Sequence, residues 1–304
     1  MDNLYRYITH DGSAVLNVLD STQMIRKMEQ FHHTAATASA ALGRVLTAAS
    51  MMGYGLKSPD DSLTLMIKGD GPIGSITAVA DGMGRVRGYC DNPAADLPEN
   101  SRGKLDVGGA VGAGTLYVIQ DLGLETPYVG QIELVSGEIA EDITAYYAYS
   151  EQLPTVCSLG VLVDTDLTIK NAGGFLLHLL PGAEESCIET VERNIKELPG
   201  MTEMLSAGMT ADEIAGKVLN GLEPDFLDSA EVEYRCNCSR ERMERILISL
   251  GREELERLAE EQEVTETVCH FCNSVYRFTS DDIRELIRSS TSVDTENSDN
   301  ADNG

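Results

Sequence analysis

Apolar residues recur at two different spacings in this chain, and each spacing predicts one kind of element. Up to residue 180, most apolar residues alternate with polar ones, as in half-buried strands. Strands are predicted at Tyr5–Thr9, Ala14–Leu19, Ser62–Lys68, Ser75–Ala80, Val86–Cys90, Thr115–Gln120, Gln131–Val135, Cys157–Asp164 and Leu167–Leu180. Helices are predicted at Ser21–Gln30, Thr34–Met52 and Glu141–Gln152. Residues 1–180 are therefore expected to form an α+β core domain with an antiparallel sheet and packed helices.

After Pro181-Gly182, the apolar residues recur at the spacing of a helix. Helices are predicted at Glu184–Leu198 and Thr210–Leu219, with a turn at Thr202–Ser206 between them. Such short amphipathic helices, separated by glycine and proline, have little stability unless they pack on a larger element. Residues 181–231 are therefore expected to form a helical, metastable linker.

Four of the seven cysteines stand in two close pairs within residues 232–287. Cys236 and Cys238 form a C-x-C pair, and Cys269 and Cys272 form a C-x2-C pair. Zinc prefers four soft ligands at the corners of a tetrahedron, and two short pairs brought together by folding supply them. We therefore predict that these four residues bind one zinc ion per chain. Closely spaced thiolates are also targets for an oxidant, so a redox role and a purely structural role both stay open at this point.

The chain around the cysteines contains few apolar residues. Helical spacing covers Arg240–Leu250 and Arg252–Gln262, and short strands are predicted at Val264–Val268 and Val275–Phe278. A module of about 55 residues with so little apolar surface could hardly fold on burial alone, so loss of the metal should unfold it. Residues 288–304 are rich in Ser, Thr, Asp and Asn, have no apolar face, and are expected to be a disordered acidic tail.

Composition narrows the class of protein further. A chain of 304 residues with 42% hydrophobic residues allows about two domains and a sizeable core. The net charge of -27 repels phosphate groups, so neither nucleic acid nor an anionic membrane is an expected partner. The chain has no transmembrane run and Met1–His10 lacks a signal pattern, so we expect a cytoplasmic location. Structural disulfides are not expected there, and Cys90, Cys157 and Cys187 are interpreted as bystanders.

Several other motifs have simpler interpretations. The stretch Gly69–Gly74 matches the spelling of a dinucleotide-binding fingerprint, but a predicted strand follows it where that fingerprint needs a helix. We interpret it as a turn between antiparallel strands. Glu141 and Asp142 are expected at a solvated helix start, His178 in the core or at a sheet edge, and His270 outside the ligand set. No group of residues has a recognisable catalytic signature, so the protein is not expected to be an enzyme.

Stretches along nearly the whole chain resemble one known family. They are Ala41–Arg44, Gly69–Gly74, Val86–Gly88, Leu134–Asp142, Ser150–Gln152, Ala172–Gly174 and Leu179–Ala183. The most specific motif is Tyr234-x-Cys236-x-Cys238 followed by Cys269-x-x-Cys272. On these motifs the chain resembles the redox-regulated chaperones of the heat-shock protein 33 family.

The resemblance implies a holding chaperone that works without ATP and is inactive while its four cysteines bind zinc. Oxidation is expected to join Cys236 to Cys238 and Cys269 to Cys272, to release zinc, and to unfold the carboxy-terminal module with the adjacent linker. The oxidised protein is expected to form a homodimer, hold unfolding client proteins and later pass them to refolding chaperones. The client-binding surface, the oligomeric state of the reduced form, the order of disulfide formation and the physiological oxidant stay open.

Three other functions compete with this hypothesis. A thiol-disulfide enzyme would use Cys269 and Cys272 as a redox motif, but such a motif normally opens a helix after a strand, and that context is missing here. A zinc hydrolase is unfavourable because four cysteine ligands leave no position for water. A structural zinc domain differs from a redox switch only in how readily oxidation empties the site.

Overall fold

The computed structural model describes residues 1–299, with side chains up to residue 289. The chain divides into two compact units, one comprising Met1–Arg235 and the other beginning at Cys236. The predicted α+β class is confirmed, because antiparallel sheets and packed helices make up the fold. Residues 181–231 fold as part of the first unit. Their proposed role as a separate, metastable linker stays a prediction.

Two five-stranded antiparallel sheets form the framework of the first unit. Sheet A contains β1 (Asp2–Thr9), β2 (Ala14–Asp20), β8 (Thr155–Val163), β9 (Ile169–Leu179) and β10 (Pro224–Val232), numbered in chain order. Sheet B contains β3 (Ser62–Gly69), β4 (Ser75–Asp81), β5 (Val86–Cys90), β6 (Gly114–Asp121) and β7 (Tyr128–Glu133). The strand orders are β10-β1-β2-β9-β8 and β5-β4-β3-β6-β7. Every strand except β10 was predicted from the alternation of apolar residues.

Helix α2 (Ala36–Gly53) lies in the main core and contacts strands of both sheets, while α1 (Thr22–His32) packs beside it. Nearly all side chains of α2 are buried, and most of them are small. At Gly43, an added Cβ would lie only 2.9 Å from a methyl group of Val161 in β8. The small residues therefore allow a close approach between helix and sheet.

The glycine-rich stretch after β3 is a turn, as predicted. Strands β3 and β4 pair antiparallel with Lys68 opposite Ser75, so the loop between them closes a hairpin and no helix follows it. The short helix α3 (Val107–Val111) was not predicted, because five residues are too few for a helical repeat of apolar positions.

The opposite face of sheet A is covered by three short helices. They are α5 (Glu185–Glu197), α6 (Met201–Ser206) and α7 (Ala211–Val218). Their buried side chains form one apolar cluster with side chains of the sheet, which include Tyr7, Leu16, Val18, Phe175 and Leu177 from the strands and Val191, Met204, Ile214 and Val218 from the helices. A capping box begins α7, since Thr210 Oγ1 accepts a hydrogen bond from Glu213 N at 3.3 Å and Glu213 Oε2 accepts one from Thr210 N at 2.8 Å.

The prediction that residues 181–231 are helical is wrong at their carboxy-terminal end. Strand β10 pairs with β1 in an antiparallel register that runs from Asp2 opposite Val232 to Thr9 opposite Pro224. Most side chains of β10 are exposed, and the strand lies at the edge of sheet A. An edge strand of this kind has no alternating apolar signal, and its main-chain bonds to β1 decide its conformation.

Asp142 is a structural anchor rather than the solvated residue that the sequence predicted. It lies in α4 (Ala140–Tyr146) and is fully buried, whereas its neighbour Glu141 is exposed. Its Oδ1 accepts hydrogen bonds from Val135 N at 2.7 Å and Ser136 N at 3.1 Å, and its Oδ2 accepts one from Ile139 N at 2.9 Å. These bonds hold Ile139 at a φ of 72°, a left-handed conformation that β-branched residues rarely adopt.

Replacing Asp142 by Asn is expected to destabilise the first unit by roughly 2–3 kcal/mol. One carboxylate oxygen becomes an amide group that cannot accept the bond from Ile139 N, and the remaining bonds lose their charge assistance. Urea denaturation followed by circular dichroism measures this change. Glu141→Gln is the matched control and should change the free energy of unfolding by less than about 0.5 kcal/mol. Equal effects of the two substitutions would contradict the anchoring role.

The second unit is small. It contains α8 (Arg240–Ser249), α9 (Arg252–Glu261), β11 (Val264–Val268), β12 (Val275–Thr279) and α10 (Ser280–Asp299). The helices α8 and α9 and both strands were predicted. Helix α10 includes residues up to Asp299, and the disorder predicted for residues 288–304 stays a prediction. Residues 300–304 of that predicted tail lie outside the described residues.

Candidate metal centre

The first cysteine pair lies in an extended segment between the first unit and α8. Cys236 directly follows Arg235, and Cys238 directly precedes Ser239. Ser239 is the N-cap of α8, where its Oγ accepts a hydrogen bond from Arg242 N at 3.3 Å. The cap fixes where the helix begins and so fixes the position of Cys238 relative to it.

The second pair lies in the tight turn that joins β11 to β12. Cys269 N donates to Ser274 O at 2.9 Å, and Asn273 N donates to Cys269 O at 2.8 Å. Asn273 has a φ of 56°, which an asparagine tolerates better than most residues. The turn therefore folds the chain back between Cys269 and Cys272 and points both sulfurs to one side.

The four sulfur atoms converge, as a four-ligand site requires. All four lie within 4.8 Å of one another, and two of the distances are 3.7 Å, from Cys236 Sγ to Cys269 Sγ, and 3.4 Å, from Cys238 Sγ to Cys272 Sγ. A tetrahedral zinc site with bonds of about 2.3 Å has edges of about 3.8 Å. The donor set and its spacing therefore fit a metal ion of the size and softness of zinc. His270 is not among these converging ligand atoms.

The protein environment acts differently on the individual thiols. Burial raises the pKa of Cys236 and of Cys269. Burial also acts to raise the pKa of Cys272, but hydrogen bonds with Ser274 and neighbouring cysteines outweigh it and lower that pKa to about 7. A bound cation would favour the thiolate form of all four cysteines.

The apolar core around the site is small. Its buried apolar side chains are Met243, Leu247, Leu255, Ala259, Phe278 and Ile283, while Ile246, Leu250, Val264, Val268 and Val275 stay largely exposed. The side chain of Arg240 links α8 to β12 and α10. Its guanidinium lies 4.4 Å from the centroid of the Phe278 ring and 3.1 Å from Asp282 Oδ2. The buried apolar surface of this unit is therefore small for a unit of its size.

The three remaining cysteines lie in the first unit and do not take part in the sulfur cluster. Cys90 and Cys187 are buried in apolar surroundings, and burial raises the pKa of Cys90 to about 12. Burial likewise raises the pKa of Cys157. His178 Nδ1 lies 2.8 Å from Thr155 Oγ1, and burial lowers its pKa to about 4, so it is a neutral core residue.

Sequence reasoning missed two hydroxyl groups that contact the sulfurs. Tyr276 Oη donates a hydrogen bond to Cys238 Sγ at 3.1 Å, and Ser274 Oγ lies 3.2 Å from Cys272 Sγ. The alternation of β12 was a usable signal, because it places Tyr276 on the same face as the buried Phe278. Ser274 directly precedes this strand.

The motif residue Tyr234, two positions before Cys236, has a structural role that the sequence did not show. Its side chain is fully buried in the first unit, where its hydroxyl donates to Gly88 O at 2.9 Å and lies 3.2 Å from His32 Nε2. The neighbouring backbone pairs with β5, since Val86 N donates to Glu233 O and Arg235 N donates to Val86 O. The end of the first unit is thus held in place up to the residue that precedes the first cysteine.

The architecture and the four-sulfur site together define the class. This is an α+β protein in which a unit of two sheets is followed by a small unit built around four convergent cysteines. None of the helices in residues 1–299 combines the length and apolarity needed to cross a bilayer. The sequence model of the family described as Hsp33 protein matches residues 2–279, and the chain belongs to this chaperone family.

Relatives with similar sequences cover nearly the whole chain. The 33 kDa chaperonin of Clostridium botulinum (strain 657 / Type Ba4) is 44% identical over 289 residues, which are 95% of this chain and 98% of the relative. The 33 kDa chaperonin of Clostridium beijerinckii is 44% identical over 290 residues, covering 95% and 99%. The crystal structure of the 33 kDa chaperonin from Thermotoga maritima matches with a TM-score of 0.89 and 36% identity, covering 96% of this chain and 99% of that one.

Proposed function

We propose that this protein is an ATP-independent holding chaperone that oxidation activates. In the reduced state, Cys236, Cys238, Cys269 and Cys272 bind one zinc ion and the chaperone is inactive. Oxidation forms disulfides between Cys236 and Cys238 and between Cys269 and Cys272, after which the second unit unfolds. The protein then dimerises in the cytoplasm, holds unfolding clients and releases them to refolding chaperones. Membership of a chaperone family supports the client class.

The single observation that carries this proposal is the convergence of four thiols in a unit with a small core. Zinc, when bound, would hold the two cysteine pairs together as a Lewis acid that stabilises four thiolates. A sulfur engaged in a disulfide is no longer a thiolate ligand, so oxidation removes the links on which this small unit depends. All four sulfurs lie within 4.8 Å, so their distances alone do not select the pairing. The proposed pairing follows from the family resemblance.

The covered face of sheet A supports a specific client-binding surface. Five large apolar side chains of this face, Tyr7, Leu16, Val18, Phe175 and Leu177, are buried beneath α5, α6 and α7. These helices are short, and β10 connects them to the segment that ends at Arg235. Their release would expose a continuous apolar sheet face without unfolding α2 or sheet B, and such a face is suited to unfolded polypeptide.

The observed turn argues against the competing thiol-disulfide enzyme. Cys269 and Cys272 lie between two paired strands, β11 and β12, and not at the start of a helix. They therefore lack the helix N-terminus that lowers the pKa of the attacking cysteine in such enzymes.

Peroxide at elevated temperature is expected to release one zinc ion per chain and then to activate the chaperone. The test follows zinc release with a colorimetric chelator and, on the same samples, the light scattering of a denaturing client. Suppression of aggregation should begin only after zinc release. The control replaces all four cysteines by serine. Equal protection of the client by this variant and by the reduced, zinc-loaded protein would contradict the switch.

A further inference from the structure

Two hydroxyl groups of the same segment contact the sulfur cluster. Tyr276 Oη donates to Cys238 Sγ at 3.1 Å, and Ser274 Oγ lies 3.2 Å from Cys272 Sγ. Ser274 directly precedes β12 and Tyr276 is the second residue of that strand, and both side chains reach the sulfur cluster. When the sulfurs are thiolates they carry no proton, and each hydroxyl must then act as the donor.

The two contacts are distributed evenly over the cysteine pairs. Tyr276 contacts one sulfur of the C-x-C pair, and Ser274 contacts one sulfur of the C-x2-C pair. Each of the two proposed disulfides, Cys236–Cys238 and Cys269–Cys272, therefore includes one sulfur that a hydroxyl group contacts. The alternative pairing across the cluster, between Cys238 and Cys272, would instead place both of these sulfurs in one disulfide.

A hydrogen bond to a thiolate makes the sulfur less nucleophilic, because part of its charge is shared with the donor. In the oxidation step, one thiolate attacks peroxide, the O–O bond breaks, and a sulfenic acid and hydroxide form. The second thiolate of the pair then attacks the sulfenic sulfur, the disulfide forms, and a second hydroxide leaves. Both attacking groups in this sequence are thiolates, so a donor on either sulfur of a pair slows disulfide formation.

We infer that Tyr276 and Ser274 are positioning residues that set the sensitivity of the cluster to oxidants, by donating hydrogen bonds to Cys238 and Cys272. This inference rests on the proposed function, since it concerns the rate at which the same four sulfurs are oxidised. The hydroxyls keep the reduced cluster intact at low peroxide and so define the concentration at which the chaperone becomes active.

The test measures the second-order rate constant for zinc release by hydrogen peroxide. Tyr276→Phe removes one oxygen atom and is expected to raise this rate constant about fivefold, on the scale of one ordinary hydrogen bond. Ser274→Ala should have an effect of similar size, whereas Ser274→Thr keeps the hydroxyl and should restore the original rate. The matched controls are Tyr149→Phe, at a tyrosine that is 75% exposed in the first unit, and Ser249→Ala in α8. Both should leave the rate unchanged.

Two further readouts separate this role from a structural one. If the variants merely loosened the unit, amide hydrogen exchange of β11 and β12 in the reduced, zinc-loaded protein would become faster, and where opening is rate-limiting the added rate would not depend on peroxide concentration. The inference instead requires that the rate stay proportional to peroxide. In the cobalt-loaded protein, loss of the donor should shift the sulfur-to-metal charge-transfer absorption to lower energy, as a more electron-rich sulfur demands.

The possible failures of this test differ from one another. If the wild-type protein releases zinc under peroxide but Tyr276→Phe and Ser274→Ala release it equally fast, the inference is overturned and the proposed function stands. If the wild-type protein keeps its zinc under peroxide and heat, the proposed function is overturned and this inference falls with it. An added rate that does not depend on peroxide concentration also overturns the inference.

Discussion

Removal of the metal is expected to unfold the second unit completely while the first unit stays folded. The free energy of metal binding to such four-ligand sites is about 10 kcal/mol or more, which exceeds what the few buried apolar residues of this unit can supply. Amide hydrogen exchange after treatment with a chelator measures the effect. Residues of α8, α9, β11 and β12 should lose their protection, and the strands of sheets A and B should keep theirs.

Cysteine variants provide the control for this experiment. Replacing Cys269 and Cys272 together by serine should reproduce the effect of the chelator, because only two ligands remain. Cys187→Ser also removes a buried thiol, but in α5 of the first unit, and should leave metal content and protection of the second unit unchanged. Protection of β11 and β12 in the metal-free protein would show that the unit folds on burial alone.

Substitution of Ile214 by Asp is expected to activate the chaperone without oxidation. Ile214 is 1% exposed in α7 and belongs to the apolar cluster between this helix and sheet A. Burial of an unpaired carboxylate there would cost about 4 kcal/mol or more, which is enough to detach a helix of eight residues. The reduced, zinc-loaded variant should then suppress client aggregation, and an apolar dye should bind to it.

Gly216→Asp is the matched control on the same helix. It introduces the same side chain with the same change in charge, but Gly216 is exposed and an added Cβ meets no atom within 4 Å. This variant should stay inactive until it is oxidised. If Ile214→Asp loses amide protection in α5, α6 and α7 without any gain in client binding, the covered face of sheet A is not the client-binding surface.

Much of the architecture could be predicted because its signals are local. Strands such as β3 and β4 alternate apolar and polar residues, and a long run of small, mostly apolar residues indicates helix α2. Strand β10 gave no such signal, because it is an edge strand whose partner β1 lies more than 200 residues away in sequence. Asp142 was misjudged because an acidic residue in a first helical turn is usually solvated, and the backbone N–H groups that bind this one become visible only in the fold.

The sequence by itself indicated most of the strands and helices, the family and the four cysteines whose sulfurs converge, because periodicity and cysteine spacing are properties of neighbouring residues. Only the tertiary structure decided which side chains surround those sulfurs and which face of sheet A is covered. Tyr276 is 38 residues away from Cys238 in sequence, yet a contact of 3.1 Å joins them. Such contacts depend on how separate elements pack, and no local pattern encodes a packing distance.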